Sequence, residues 1–78
     1  MNKRSTITRN ILGGGWRIEV HSRIMAVTIA EKVQDSDTPL FVDNVVLKYG
    51  CAAPSVVTVK GDRCYEQDLK EIVNDLYN

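Results

Sequence analysis

The sequence predicts a small single domain of the α+β class, in which an antiparallel sheet of about four strands carries a C-terminal amphipathic helix. Three observations support this prediction. Short segments with apolar residues at alternate positions are separated by turns that contain glycine or proline. The last segment instead repeats its apolar residues every three or four positions, and a chain of 78 residues holds one hydrophobic core. We therefore expect residues 1–78 to form one domain.

A β-hairpin is predicted near the start of the chain. Gly13–Gly15 can adopt the positive φ angles of a tight turn, and this run lies between residues 7–12 and the alternating segment Trp16–Val20. Arg9 interrupts the apolar face of the first segment, so either that strand is short and begins after Arg9, or it lies at an edge of the sheet. Residues 1–5 are predicted to form a mobile basic arm.

Residues 22–34 have two interpretations. As a helix, they place five apolar residues on one stripe and offer Ser22 as the N-cap: Met25, Ala26, Ile29, Ala30 and Val33. Ile24 and Val27 fall outside this stripe. As a strand, the segment would pair with residues 41–49, but Glu31 would then face Asp43, an unfavourable pair of like charges. We prefer the helix because Ala, Glu, Lys and Gln favour helices, with the strand as the alternative.

Two further strands and a helix complete the predicted fold. Residues 40–49 are rich in Phe, Val and Leu, and Asp43-Asn44 in their middle indicates a bulge or a tight turn. Residues 56–59 form a short strand before the turn at Gly61-Asp62. The final helix, which Asp62 can cap, has its apolar residues on one side: Tyr65, Leu69, Ile72, Val73, Leu76 and Tyr77.

The chain lacks the residue patterns of catalytic and cofactor-binding sites. His21 is the only histidine, Cys51 and Cys64 are the only cysteines, and no two of these residues have the short spacing that holds zinc. The glycines at 13–15 precede a strand, whereas a phosphate-binding loop precedes a helix. We expect a protein that is not an enzyme and has no catalytic residues, no cofactor and no metal.

The same composition predicts a cytoplasmic protein that does not bind membranes. The longest uninterrupted apolar run has four residues, Ile24–Val27, whereas a membrane-spanning helix needs about 20. Two cysteines are fewer than small secreted domains carry, and we expect both to be free thiols.

Charge is divided unevenly along the chain, although ten basic and ten acidic residues cancel overall. Residues 1–34 carry six basic and two acidic side chains, and residues 35–78 carry four and eight. A folded domain without a catalytic pattern acts through its surface, so the sequence predicts a binding protein with a protein partner. The candidate contacts are the basic surface that bears Arg17 and Arg23 and the acidic face of the last helix, which could imitate nucleic-acid phosphates: Glu66, Asp68, Glu71 and Asp75.

In size and character, the chain resembles the compact inhibitors and regulators that phages and mobile elements encode, anti-CRISPR and other anti-defence proteins among them. The resemblance involves no motif and assigns no residue a role. It implies a protein that blocks or regulates a host machine by occupying one of its surfaces.

Two other functions are consistent with the sequence. Direct nucleic-acid binding is the first alternative, and its residues would be Lys3, Arg4, Arg9, Arg17 and Arg23, with Trp16 stacking on a base. The zero net charge and the lack of a basic recognition helix weigh against it. Homodimer formation is the second, since the two halves carry opposite charges and exposed strand edges can pair between copies.

Overall fold

The computed structural model describes residues 5–10, 13–49 and 53–77, without the side chain of Tyr77, and it has an α+β architecture. The elements follow in the order β1 (Ser5–Arg9), β2 (Trp16–Val20), α1 (Arg23–Asp35), β3 (Phe41–Val46), β4 (Ser55–Lys60), a 3₁₀ turn (Arg63–Tyr65) and α2 (Glu66–Tyr77). The strands form one antiparallel sheet in the order β1-β2-β4-β3. The predicted fold class, with its C-terminal helix and one internal helix, is confirmed.

The predicted hairpin consists of β1 and β2, but β1 lies earlier in the chain than residues 7–12. It begins at Ser5, so the last residue of the predicted basic arm belongs to the sheet, while residues 1–4, 11 and 12 lie outside the described residues. Gly14 and Gly15 precede β2 with φ angles of 72° and 79°, which favour glycine. Among the described strands, β1 pairs only with β2, so Arg9 lies on an edge strand, which was one of its two predicted positions.

The segment with two interpretations is a helix, α1, and the strand alternative is wrong. The hydroxyl of Ser22 accepts a hydrogen bond from the backbone N–H of Met25 at 3.2 Å, which satisfies one free donor at the start of the helix. Ile24 and Val27, which fall outside the predicted stripe, are exposed. The stripe faces the sheet and contributes three fully buried residues: Ala26, Ile29 and Val33.

The interruption at Asp43-Asn44 is a β-bulge in β3. The register of β3 against β4 shifts between Val42 and Asn44, so that Val42 pairs with Val59 and Val45 pairs with Val57. The extra residue at the bulge therefore keeps Val42 and Val45 on the side of the sheet where Val57 and Val59 are fully buried.

The C-terminal helix α2 begins at Glu66, later than a cap at Asp62 would place it. One 3₁₀ turn intervenes, in which the backbone N–H of Tyr65 donates to the carbonyl of Asp62 at 3.0 Å and the Asp62 side chain makes no capping bond. Leu69 and Val73 are buried. The acidic residues of the first turn, Glu66 and Asp68, lie where the helix dipole favours negative charge.

Both helices pack on one face of the sheet. The core between the helices and the sheet contains Trp16, Ile18, Val20, Ala26, Ile29, Val33, Leu40, Val57, Val59, Leu69 and Val73. The intervening strand positions, such as Thr6, Thr8, Arg17 and Thr58, point to the opposite face, which neither described helix covers. Neither of these helices has the length and apolar character needed to cross a membrane.

Candidate docking surface

The two most exposed large apolar side chains of the described residues flank Arg23 at the start of α1. Ile24 follows Arg23 in the chain and is 81% exposed, and Tyr49, which follows β3, is 76% exposed. The guanidinium carbon of Arg23 lies 4.5 Å from the centre of the Tyr49 ring, within the range of a cation–π contact. Together with His21 and Lys48, these three residues form what we call the corner surface.

Local hydrogen bonds hold the two halves of the corner surface in place. The cap at Ser22 fixes the first turn of α1 and thereby positions Arg23. On the other side, the buried hydroxyl of Ser55 accepts a hydrogen bond from the backbone N–H of Lys48 at 3.1 Å. Arg23 bridges the halves, since its Nη1 lies 3.5 Å from the Lys48 carbonyl oxygen, in addition to its contact with Tyr49.

A solvent-open hollow of about 290 Å³ lies beside this contact. Its walls are His21, Ser22, Arg23, Ile24, Lys48, Ala53 and Ser55. Pockets that enclose a small ligand typically measure about 300 to 1,000 Å³ and are mostly apolar. Because the hollow is open to solvent and only Ile24 and Ala53 of its walls are apolar, it is better suited to a protruding side chain of a partner than to an enclosed metabolite.

The corner surface carries positive charge that no carboxylate neutralises within the described residues. There, salt bridges join Arg9 to Glu66, Arg17 to Glu19 and Lys70 to Glu66, and none includes Arg23 or Lys48. No acidic residue is among the walls of the hollow. An acidic group of a partner would thus meet unpaired cations here.

Arg9 and Trp16, both predicted contact residues, are instead joined to Glu66, in a set that we call the Glu66 clasp. Arg9 donates from Nε to Oε1 of Glu66 and from Nη2 to Oε2, the latter at 2.7 Å, and Trp16 donates from Nε1 to Oε1 at 2.8 Å. The hairpin register brings the two donors together, because Arg9 pairs directly with Trp16. Trp16 is 1% exposed, so its ring belongs to the core and presents no face to a base.

The Glu66 clasp lowers the pKa of Glu66 to about 2 from an ordinary value of 4.5. The hydrogen bond from Arg9 contributes most, followed by the one from Trp16, and the positive charges of Arg9 and Lys70 add to them. Because the folded protein holds this carboxylate ionised, the clasp stabilises the fold fully above pH 4.5 and loses its effect as the pH falls through 2.

Replacing Glu66 with glutamine should therefore lower the thermal unfolding midpoint at pH 7 and have progressively less effect as the pH is lowered from about 5 to 2. Circular dichroism melts at several pH values measure this difference between the parent and Glu66→Gln. Glu71→Gln removes the same charge from the exposed side of α2 and is the matched control. A difference in midpoint that stays constant across this pH range would contradict the role of the ionised clasp.

The remaining basic candidates do not form one patch within the described residues. Arg17 lies on the open face of the sheet, where its Nη2 is 3.1 Å from a carboxylate oxygen of Glu19. Arg23 belongs to the corner surface, Arg9 belongs to the Glu66 clasp, and Lys3 and Arg4 lie outside the described residues.

The acidic candidates on α2 also have different surroundings. Glu66 is held by the clasp and its side chain is only 17% exposed. Asp68 is half-buried, whereas Glu71 and Asp75 are exposed and lie one turn apart. Of the four residues, Glu71 and Asp75 are therefore the ones that a partner can reach freely.

Four residues of the corner surface, His21 among them, were not singled out as contacts from the sequence. The sequence pattern could have identified Ile24, because this residue falls outside the apolar stripe of α1 and must therefore be exposed or contact another surface. No sequence pattern identifies Lys48 and Tyr49, since their contacts with Arg23 depend on the path of the chain after β3, more than 20 residues beyond Arg23.

The described residues provide no evident metal site, because no three of their His, Cys, Asp and Glu side chains lie close enough together to hold an ion. Cys64 is exposed and free, and Cys51 lies outside the described residues. Comparisons of the chain with protein-family models, with curated proteins and with solved structures find no match.

Proposed function

We propose that this chain is a non-enzymatic binding protein that recognises a partner protein through the corner surface. One observation carries the proposal: Arg23 is stacked on the exposed ring of Tyr49, and Ile24, the next residue in the chain, is also exposed. A large apolar residue that faces water adds nothing to the stability of the monomer, but it gains free energy when a partner covers it.

The residue types also favour a protein interface. Tyrosine and arginine are enriched among the residues that dominate binding energy, especially where they lie together in a patch from which water is excluded. The stacking on Tyr49 and the bond to the Lys48 carbonyl restrict the guanidinium of Arg23 before any partner arrives. Such preorganisation reduces the conformational entropy that binding would otherwise cost.

The charge of the corner surface indicates the chemistry of the partner. Arg23 and Lys48 have no carboxylate contact within the described residues, so an acidic segment of a protein would complement them. We therefore propose a partner surface that presents Asp or Glu beside an apolar patch, with the apolar patch covering Ile24 and Tyr49.

The nucleic-acid alternative draws less support from the same residues. Arg9 and Arg17 are already paired with carboxylates, and the ring of Trp16 is buried. A nucleic-acid site would then depend on Arg23 and Lys48 beside Tyr49, with residues such as Ile24 contributing little to a contact with phosphates. The experiment below separates the two functions.

We propose further that binding blocks or regulates the activity of the partner, as compact anti-defence proteins of phages and mobile elements do. This proposal is based on the small size of the chain and on its proposed action through a surface. Once the partner is known, its own activity measured with and without one equivalent of this protein tests the proposal.

Site-specific photo-crosslinking in cells tests the docking surface directly. A benzophenone amino acid replaces Ile24 or Tyr49 in one pair of variants and Gln67 or Asn74, on the exposed side of α2, in the control pair. We expect a discrete protein adduct from positions 24 and 49 that survives nuclease treatment and is absent from positions 67 and 74. Equal adducts from both pairs, or adducts that nuclease removes, would refute docking of a protein at the corner surface.

A further inference from the structure

The two edges of the sheet differ in their ability to accept another strand. β3 forms one edge, where its bulge interrupts the regular spacing of backbone groups and Asp43 adds a charge. Both features are known to protect sheet edges from pairing. β1 forms the other edge and pairs with β2 over five consecutive residues without a register shift. Of the two edges that the described residues form, β1 is therefore the regular one, with no bulge.

The direction of the β1 backbone groups follows from the hairpin. Asn10 donates its backbone N–H to the carbonyl of Gly15 at 2.9 Å, which identifies Asn10 and Gly15 as a hydrogen-bonded pair. Such pairs alternate along an antiparallel ladder. Thr8 and Thr6 thus bond to β2, whereas the backbone N–H and C=O groups of Ser5, Ile7 and Arg9 point towards the free edge.

We propose that β1 pairs antiparallel with β1 of a second copy of this chain, with Ile7 of each copy on the two-fold axis. In this register, all three residues with free backbone groups become hydrogen-bonded: Ile7 with Ile7 of the second copy, and Ser5 with Arg9 of the second copy in both directions. The two sheets join into one, with both pairs of helices on the same side. This dimer does not depend on the corner surface.

The side chains agree with this register. Thr6 of each copy lies opposite Thr8 of the other, and threonine pairs across strands are favourable. Arg9 faces Ser5, so no like charges meet. Centring the pair on Arg9 instead would set two arginines against each other and use fewer residues of β1. The near-symmetry of Thr6-Ile7-Thr8 is what makes the strand complementary to itself.

Charged residues at positions 6 and 8 test the register. Thr6→Lys/Thr8→Lys and Thr6→Glu/Thr8→Glu each place like charges opposite each other twice across the proposed dimer. Thr6→Lys/Thr8→Glu places opposite charges there instead, and within one chain it sets the new lysine opposite Glu19 and the new glutamate opposite Arg17. All three variants alter the open face of the sheet, so the core is unchanged.

Sedimentation equilibrium over a range of concentrations provides the measurement. We expect the parent to approach twice its chain mass of 8.8 kDa with rising concentration. Each like-charge variant should raise the dissociation constant about tenfold at low salt. Thr6→Lys/Thr8→Glu should restore dimerisation, and an equimolar mixture of the two like-charge variants should form mixed dimers.

Circular dichroism of each variant shows whether it has folded, and the restored dimer of Thr6→Lys/Thr8→Glu excludes general damage to β1. A parent that stays monomeric at its highest soluble concentration would overturn the proposal. A parent dimer that neither like-charge variant weakens would also overturn it, because the contact would then lie elsewhere on the molecule.

Discussion

Gly15→Ala is expected to destabilise the protein by more than about 4 kcal/mol, a large part of the total stability of a domain this size. A Cβ atom at this position would lie 2.2 Å from the carbonyl oxygen of Val59 and 3.0 Å from Cα of Lys60. Both are backbone atoms of β4, which is central in the sheet and cannot move away. The φ angle of 79° adds the strain of a left-handed conformation.

Gly14→Ala is the matched control for this prediction. Gly14 has a similar φ angle of 72°, but a Cβ atom there would meet nothing within 4 Å. Gly14→Ala should therefore lower the free energy of unfolding only by the conformational strain, about 1 to 2 kcal/mol. Urea unfolding monitored by circular dichroism compares the two variants. Equal losses of stability would show that the close approach of Gly15 to β4 is not a feature of the protein.

Trp16→Ala is expected to lower the free energy of unfolding by about 3 to 5 kcal/mol. The side chain is fully buried, so its removal leaves a large cavity between the sheet and the helices. It also removes one of the two groups that donate hydrogen bonds to the Glu66 carboxylate in the clasp. The same urea titration measures the loss.

Trp16→Phe separates these two contributions. Phenylalanine keeps most of the buried apolar volume but has no N–H to donate to Glu66, so its cost should be clearly smaller than that of alanine. If both substitutions cost the same, the packing of the indole contributes nothing. If neither substitution lowers the free energy of unfolding, Trp16 is not part of the core, and the assignment of the buried face of β2 is wrong.

Local patterns predicted most of the elements. The spacing of the apolar residues in α1 and α2, the glycine run before β2 and the interruption at Asp43-Asn44 each reflect interactions between residues that are close in sequence. β1 was placed too late in the chain because Ile11 and Leu12 extended the apparent apolar segment beyond Arg9, whereas the ladder of the hairpin ends with the pair of Arg9 and Trp16.

Contacts between distant parts of the chain were not predictable in the same way. The pairing of Arg9 with Glu66 spans 57 positions and depends on the hairpin register together with the position of α2. No local pattern marks Glu66 as different from the other carboxylates of its helix. The same holds for Tyr49, whose contact with Arg23 requires α1 and the end of β3 to lie side by side.

These distant contacts also change the interpretation of the charged residues. The sequence presents a basic half and an acidic half, but the folded chain uses Arg9 and Glu66 to attach the hairpin to α2. Arg17 is paired on the open face. Some of the opposite charges of the two halves therefore pair with each other within the monomer. Among the described basic candidates, Arg23 is the one that lies beside exposed apolar groups.

The most direct test of the corner surface is a calorimetric titration of the captured partner with the parent and with Arg23→Glu. Arg63→Glu makes the same charge change at an exposed residue outside the corner surface and is the control. We expect Arg23→Glu to weaken binding about 30-fold or more, as for residues that dominate an interface, and Arg63→Glu to bind like the parent. Equal affinities for all three proteins would contradict the assignment of the corner surface as the site of partner recognition.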